Sequence, residues 1–193
     1  MKTGIVFHEL YLWHHTGNHA DYVPYGFPVE PFIHSENSDT KRRVKNLMEV
    51  SGLYQKLQQI TARKATKEEI LYFHTENHFE HIKSLNNSIS LDSGVSTPTG
   101  IGSFDIALLS AGGVIEAMDH VLEGKVDNAY ALVRPPGHHA MPDKAMGFCV
   151  FGNAAIAGKH AINRKNLKKI AFVDWDVHHG NGTQAAFYND PCA

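Results

Sequence analysis

Two polar clusters in the second half of the chain hold residue types that bind metals and transfer protons. They are Arg134–Ala140 (RPPGHHA) and Asp174–Gly182 (DWDVHHGNG), and each follows an apolar run. Histidine nitrogens and carboxylate oxygens are ligands of zinc, and histidine also exchanges protons near neutral pH. The 14 histidines of this 193-residue chain are an unusually large number, which also indicates metal or proton chemistry.

The second cluster has the spacing of a metal-binding loop. Side chains alternate along an extended backbone, so Asp174, Asp176 and His178 share one face. Three titratable groups on one face of a buried strand are costly unless they are paired or bind a metal. A carboxylate and an imidazole two residues apart can both reach one cation, and Gly180 and Gly182 allow a tight turn beside it. The alternative is a strand end with solvated polar side chains.

The first cluster places two histidines behind two prolines. Proline fixes φ and removes a backbone donor, so the loop is stiff without a hydrogen-bond ladder. Neighbouring imidazoles such as His138 and His139 can divide proton transfer between them when their partners separate their pKa values. Asp174 is a candidate to orient one of them. The alternative is a pair of ordinary surface histidines.

The segment between the clusters contains Gly147, Phe148 and Cys149. A flat aromatic wall suits an aliphatic substrate stem, so Phe148 is a candidate for lining a channel; the alternative is core packing. Cys149 has no cationic neighbour in sequence, which favours a small buried residue over a nucleophile.

Short apolar runs alternating with helical patterns indicate an α/β protein. Strands are predicted at Gly4–Phe7, Ala129–Val133 and Ile170–Val173. Helices are predicted after caps at Thr66 and Thr75, after a cap at Ser103 with an end at Gly124, near Asp39, and over Phe151–Ile162. Strand–helix–strand order predicts a parallel sheet, and the clusters follow strands, where ligands of such sheets bind.

Composition excludes several classes of protein. Hydrophobic residues are 42% and charged residues 20%, typical of a globular chain of one domain. A net charge of -2 gives no basic field for direct nucleic-acid binding. Two cysteines are too few for a disulfide framework, which favours a reducing, cytoplasmic location. We expect neither a signal peptide nor a membrane span, because charge interrupts the first apolar stretch and no run of 18 apolar residues occurs.

Three motifs together resemble the histone deacetylase superfamily. They are Arg134–Ala140, Met146–Cys149 and Asp174–Thr183, and the form with Asn181 is similar to class II and bacterial class II-like members. The resemblance implies the arginase–deacetylase fold, a parallel sheet flanked by helices. It also implies zinc-dependent hydrolysis of an acyl-amide bond, in acetyl-lysine or in a small acetylated amine.

The resemblance also implies roles for the site residues. Asp176 and His178 would be zinc ligands. His138 would be hydrogen-bonded to Asp174, and His139 would be the general base or acid.

Further expectations concern the surroundings of the metal. Asn181 would orient His139, and Gly147 and Phe148 would line the substrate channel. Asp92 would match a rim aspartate that holds the substrate backbone. The backbone carbonyls of residues 174, 176 and 178 would hold a monovalent cation, potassium.

The chain departs from the family pattern. A distal aspartate that would be the third zinc ligand is absent, as is a tyrosine that would stabilise the oxyanion. We therefore expect residues 1–193 to be the N-terminal part of one deacetylase-like domain, with the sheet incomplete at the C-terminal side and with weak or no activity. Two alternatives stay open: a non-catalytic fragment, and a binuclear manganese ureohydrolase-like enzyme. The metal-binding segment of such manganese enzymes resembles the pattern Asp-x-His-x-Asp. In this chain Gly180 stands at the position of the last aspartate.

Overall fold

The computed structural model describes residues 1–18, 28–89 and 91–193, which form an α/β arrangement. The strands are β1 (Thr3–Val6), β2 (Gln58–Ile60), β3 (Leu91–Asp92), β4 (Gly94–Val95), β5 (Pro98–Thr99), β6 (Asn128–Ala131) and β7 (Ala145–Met146). The helices are α1 (Asp39–Val50), α2 (Lys67–Ile70), α3 (Glu76–Ser84), α4 (Ser103–Leu122), α5 (Asn153–Lys165) and α6 (Asn181–Phe187). None of the helices in the described part of the chain combines the length and the apolar character that a bilayer crossing requires.

A three-stranded parallel sheet of order β2–β1–β6 lies at the centre. Its middle strand carries Ile5 and Val6, both fully buried, as expected for a strand covered on both faces. The predicted strand at Gly4–Phe7 is confirmed as β1, and the one at Ala129–Val133 is confirmed as β6 with earlier bounds. The parallel pairing predicted from the element order is therefore present.

The prediction of a strand at Ile170–Val173 is wrong for this structure. The segment has no strand assignment and makes no ladder with the described strands, and Val173 is 81% exposed. Phe172 instead packs on Phe187 of α6, with ring centroids 4.6 Å apart. An apolar run becomes a strand only where a partner edge meets its backbone. Here the run is held by the Phe172 ring and by the Ile170 N–H, which donates to the Cys192 carbonyl at 2.7 Å.

Helices α2 and α3 begin at the predicted caps, whereas α4 is capped by a distant residue. At α3 the Thr75 side chain accepts from the His78 N–H at 3.2 Å. The Thr66 side chain accepts from the Glu69 N–H, and the Glu69 carboxylate accepts from the Thr66 N–H, which confirms the capping box of α2. Ser103 does not cap α4, because Gly102 occupies that position with φ 79°. Asn86 instead accepts from the Phe104 N–H at 3.1 Å.

Helix α4 is the core element between the sheet and α5. Its residues Ala111 and Ile115 are completely buried, and they belong to one cluster with Phe151 and Ile156. The segment that precedes α2 lies directly on α4, since the Ala65 N–H donates to the Leu108 carbonyl at 2.8 Å. This packing fixes α4 and α5 beneath the loops that carry the polar clusters.

Two buried histidines tie α3 and the residues before it to the segment 141–152. His74 donates from Nδ1 to the Met141 carbonyl at 3.0 Å and accepts the Gly152 N–H at Nε2 at 2.8 Å. His78 donates from Nε2 to the Val150 carbonyl at 2.9 Å. Burial lowers the pKa of His74 to about 3, so the ring is neutral at pH 7.

Replacing Gly112 by alanine should lower the free energy of unfolding more than replacing Gly124 does. A Cβ at Gly112 would lie 2.0 Å from the Arg63 carbonyl oxygen, a backbone atom that cannot move without shifting the chain. Gly124 has φ 68° and no heavy atom within 4 Å of a built Cβ, so Gly124→Ala carries only the left-handed conformational cost of about 1–2 kcal/mol. Urea unfolding of both variants measures the difference, and equal losses would contradict the steric argument.

Candidate active site

The paired-histidine loop, residues 134–140, begins three residues after β6 and is held by a buried ion pair. Arg134 is 1% exposed, and its Nε donates to both carboxylate oxygens of Glu36 at 2.9 and 2.8 Å. Its Nη1 also donates to the Tyr11 carbonyl at 3.2 Å. A buried guanidinium needs a carboxylate partner and saturated donors, and both are present here. The loop therefore starts from a fixed point inside the protein.

Further contacts hold the middle of the loop. Ser110 Oγ and Asn153 Nδ2 donate to the Pro135 carbonyl at 2.9 and 3.0 Å. The N–H of Gly182, at the start of α6, donates to the His138 carbonyl at 2.9 Å. A Cβ at Gly182 would lie 2.2 Å from the Ala140 carbonyl oxygen, so only glycine permits this approach. Helix α6 and the paired-histidine loop are thus in direct backbone contact.

Each of the two histidines has its own partner. His138 Nδ1 lies 2.9 Å from Asp174 Oδ2, and His139 Nδ1 lies 2.6 Å from Asn181 Oδ1. Carboxylate and amide oxygens only accept hydrogen bonds, so both histidines carry their proton on Nδ1 and a lone pair on Nε2. One imidazole therefore has an anionic partner and the other a neutral partner.

The structure places the second cluster beside the paired histidines. The His139 and His178 rings have centroids 5.9 Å apart, and the His138 and His139 rings 4.0 Å apart. A cavity of about 300 Å³ lies among these groups. Its lining residues are Ser35, Glu36, Thr40, Lys41, Pro136, His138, His139, Gly147, Phe148, Asp176 and His178.

Asp176 and His178 are spaced to share one cation. His178 Nδ1 lies 3.1 Å from Asp176 Oδ1. Ligands about 2.0–2.1 Å from a tetrahedral zinc lie about 3.3 Å from one another, so this pair fits two positions of such a site. Among residues 1–18, 28–89 and 91–193, no third His, Cys, Asp or Glu completes a group of three. Asp190 is paired with Lys159 Nζ at 2.6 Å.

The carboxylates of the second cluster are held ionised by local hydrogen bonds. The His178 N–H, at 2.8 Å, lowers the pKa of the Asp176 carboxyl. Partial burial raises the pKa of Asp174, but hydrogen bonds from His138 and from the Asp176 N–H outweigh it, and the net shift is downward. An ionised carboxylate is the form that binds a cation or an imidazolium.

Gly147 and Phe148 form the wall of the cavity beside His139. A Cβ at Gly147 would lie 2.4 Å from His139 Cδ2, so the backbone touches the imidazole ring directly. Phe148 has φ 68°, and its ring lies edge-on to His34 with centroids 4.7 Å apart. The structure therefore places both predicted channel residues at the cavity.

Asp92 lies elsewhere. It is not among the residues lining the cavity, and its carboxylate accepts N–H groups of its own loop, from Gly94, Ser96 and Thr97, at 2.8–3.1 Å. Sequence reasoning did not find that Glu36 pairs with Arg134, or that Glu36 and Lys41 line the cavity. Glu36 and Arg134 are 98 residues apart, so no local spacing could have indicated their contact.

The site and the fold define a class of protein. A model of the histone deacetylase domain matches residues 34–192, and the chain belongs to this family. Its fold is the arginase–deacetylase fold: the crystal structure of the HDA15 HD domain superposes with a TM-score of 0.85 and 34% identity, covering 97% of this chain and 50% of that one.

Curated relatives carry names of the same class of protein. The histone deacetylase-like amidohydrolase of Pseudomonas aeruginosa is 48% identical over 190 residues, covering 97% of this chain and 50% of the relative. A probable deacetylase of Archaeoglobus fulgidus is 38% identical over 194 residues, covering 98% and 49%. The chain therefore spans about half the length of these relatives.

Removing one partner of the Arg134–Glu36 ion pair should lower the free energy of unfolding, and removing both should cost less than the sum of the two single substitutions. Arg134→Met or Glu36→Gln alone should lower the free energy of unfolding by about 3–5 kcal/mol, because either removes the hydrogen-bonded partner of a buried charged group. The double variant should lose less than the sum of the two. Urea unfolding of the four proteins gives the coupling energy, and strict additivity would show that the pair does not anchor the loop.

Native labelling should modify one cysteine of the two. Cys149 is completely buried, which raises the pKa of its thiol to about 12, so at pH 8 it is neutral and inaccessible. Cys192 is half-buried. Iodoacetamide at pH 8 should label Cys192 within minutes and Cys149 only after denaturation, as followed by mass spectrometry. The variant Cys192→Ser provides the control, and rapid native labelling of that variant would refute the burial of Cys149.

Proposed function

We propose that this chain supplies the proton-transfer residues and two metal ligands of an amidohydrolase site that removes acyl groups from amines. The observation that carries the proposal is the convergence of two oriented imidazoles with a carboxylate–imidazole pair around one cavity. Family membership supports the same reaction class, since the Pseudomonas aeruginosa relative is named an amidohydrolase and the Archaeoglobus fulgidus relative a probable deacetylase.

Asp176 and His178 would hold zinc, as their 3.1 Å separation and their oxygen and nitrogen donors suit it. When bound, zinc supplies polarisation of an acyl carbonyl and a lowered pKa of water. Asp174 remains with His138, which leaves it outside the ligand pair. We likewise propose that the backbone carbonyls of residues 174, 176 and 178 hold a potassium ion.

The two histidines would divide proton transfer as their partners dictate. His139, paired with the neutral Asn181, keeps its Nε2 lone pair available to take a proton from water and return it to the leaving amine. Asp174 accepts a hydrogen bond from His138 Nδ1 at 2.9 Å and so fixes the tautomer and orientation of that ring. Two neighbouring imidazoles with different partners, one anionic and one neutral, are an arrangement suited to general acid–base catalysis.

The cavity suits a narrow substrate. Its volume of about 300 Å³ is at the small end for ligand sites, and Phe148 gives it an aromatic wall. A lysine side chain or another primary alkylamine carrying an acetyl group matches that size and surface. We propose this class of substrate, either on a polypeptide or as a small molecule.

The geometry at residue 180 favours a mononuclear site over a binuclear manganese site. A Cβ at Gly180 would lie 2.5 Å from Asp174 Oδ2, so a bridging carboxylate has no room at this position without moving Asp174 away from His138. The proposal is therefore one metal ion per site.

Zinc binding should depend on His178 and not on His179. His178→Ala removes one donor of the pair, whereas the ring of His179 contacts the Gln184 side chain at 2.9 Å. Calorimetric titration of zinc into the chain should show affinity weakened at least about tenfold by His178→Ala and unchanged by His179→Ala. Equal weakening by both substitutions would refute the assignment of the ligand.

Hydrolysis of an acetyl-lysine fluorogenic amide should be abolished by a chelator and restored by zinc. His139→Ala should lower the rate about 100-fold or more, because a positioned base contributes that much, while His179→Ala should retain it. Activity that ignores the chelator would refute a zinc mechanism. Zinc binding without any hydrolysis would favour the alternative of a non-catalytic fragment.

A further inference from the structure

The side-chain amide of Asn181 has different neighbours at its two ends. Its Oδ1 lies 2.6 Å from His139 Nδ1. Its Nδ2 donates to the His139 carbonyl at 3.3 Å and to the sulfur atoms of Met141 and Met146 at 3.2 and 3.7 Å. A thioether sulfur and a carbonyl oxygen accept hydrogen bonds and have no proton to donate. The NH₂ end of Asn181 therefore lies among three acceptors.

The orientation of this amide decides which ring nitrogen of His139 carries the proton. With the amide oxygen toward the ring, Nδ1 must donate and Nε2 keeps its lone pair. A rotation of the amide by 180° would turn an N–H toward Nδ1 and favour the tautomer that is protonated at Nε2. The same rotation would place the amide oxygen against two sulfurs and a carbonyl, where no donor meets it. An acceptor without a donor is unfavourable away from water, so the three acceptors favour one orientation.

The two methionines are held by contacts of their own. The Met141 N–H donates to the Lys144 carbonyl at 3.0 Å, and the Met141 carbonyl accepts from His74 Nδ1 at 3.0 Å. Met146 ends β7, which pairs with β4, and its N–H donates to the Cys149 carbonyl at 3.1 Å. Both sulfurs therefore approach Asn181 from backbone that is fixed independently of it.

We propose that Met141 and Met146 are positioning residues, which select the amide orientation of Asn181 and thereby the tautomer of His139 whose Nε2 can accept a proton. Neither methionine is among the described residues that line the cavity, so this role needs no contact with the substrate. The inference rests on the proposed function only in that His139 acts as the base. The orientation of the amide is a property of the chain itself and can be measured without turnover.

Nitrogen-15 NMR of the histidine-labelled chain at pH 9 reports which ring nitrogen carries the proton. The His139 signals are identified by their loss in His139→Gln. The double variant Met141→Leu/Met146→Leu keeps apolar side chains of similar volume and removes both sulfur acceptors. The ratio of Nδ1-protonated to Nε2-protonated His139 should fall at least about tenfold in this variant, because two hydrogen bonds that select the amide orientation are lost.

Single variants and a matched control separate the amide contact from a general effect of leucine. Met141→Leu should shift the His139 tautomers more than Met146→Leu, because the Met141 sulfur is closer to Asn181 Nδ2. Met118→Leu should leave them unchanged, since Met118 packs against the core cluster of α4 and α5. Unmoved His139 signals in the double variant, or equal movement in Met118→Leu, would overturn the proposal.

Asn181→Asp in the double-leucine background provides a rescue. A carboxylate presents an acceptor oxygen whichever way it turns, so His139 should again carry its proton on Nδ1. Failure of the His139 signals to return would show that the leucines act through packing and not through the amide. That result would also overturn the proposal.

Turnover of an acetyl-lysine fluorogenic amide tests the consequence for the reaction. In the double-leucine variant, kcat should fall by the same factor as the Nδ1-protonated fraction of His139 measured by NMR, with KM little changed. A tautomer shift without loss of kcat would overturn the link to proton transfer. If the unmodified chain hydrolyses no amide, the proposed function fails, whereas the nitrogen signals still decide the role of the two methionines.

Discussion

The buried ion pair between Arg134 and Glu36 is the constraint on which the site depends. Arg134 lies three residues after β6, and Glu36 precedes α1, so the pair joins the N-terminal segment to the loop that carries both histidines. A guanidinium with 1% exposure is tolerated only with its carboxylate and its backbone acceptors in place. The position of His138 and His139 is therefore set by the folding of residues about a hundred positions away in sequence.

The second cluster is positioned differently. Asp174, Asp176 and His178 lie in a largely exposed segment that is neither helix nor strand, and Trp175 and Val177 beside them are 90% and 92% exposed. The donors are oriented by short hydrogen bonds within the segment and by His138. The proposed proton-transfer residues His138 and His139 are consequently held by buried contacts of the fold, whereas the proposed metal ligands depend on local hydrogen bonds.

The sequence predicted those features that short segments decide. The capping box at Thr66 needs four residues, and the strand β1 is a single apolar run, so both were predictable. The strand at Ile170–Val173 was not, because pairing depends on a partner edge that the segment itself does not contain. The cap of α4 comes from Asn86, 18 residues upstream, and Glu36 reaches Arg134 across 98 residues.

The site shows the same division. Motif resemblance found His138, His139, Asp176 and His178 at the cavity, because their types are set by chemistry, and the contact of His138 with Asp174 is present. It did not find the partners that hold the paired-histidine loop, such as Glu36 or the Tyr11 carbonyl. Backbone carbonyls carry no sequence signal, because every residue has one. The sequence thus indicates which side chains are candidates for the site, and the fold determines which contacts hold them in place.

The neutral histidines under the cavity wall make the fold sensitive to acid. His74 holds the carbonyl of Met141 and the N–H of Gly152 only as an uncharged ring, and its pKa is about 3 against about 6.5 for an unfolded chain. Between pH 3 and 6.5 this histidine binds a proton in the unfolded chain and not in the folded chain. The free energy of unfolding therefore declines as the solution is acidified from pH 6.5 toward 3. Low-pH elution during purification would accordingly weaken the segment 141–152.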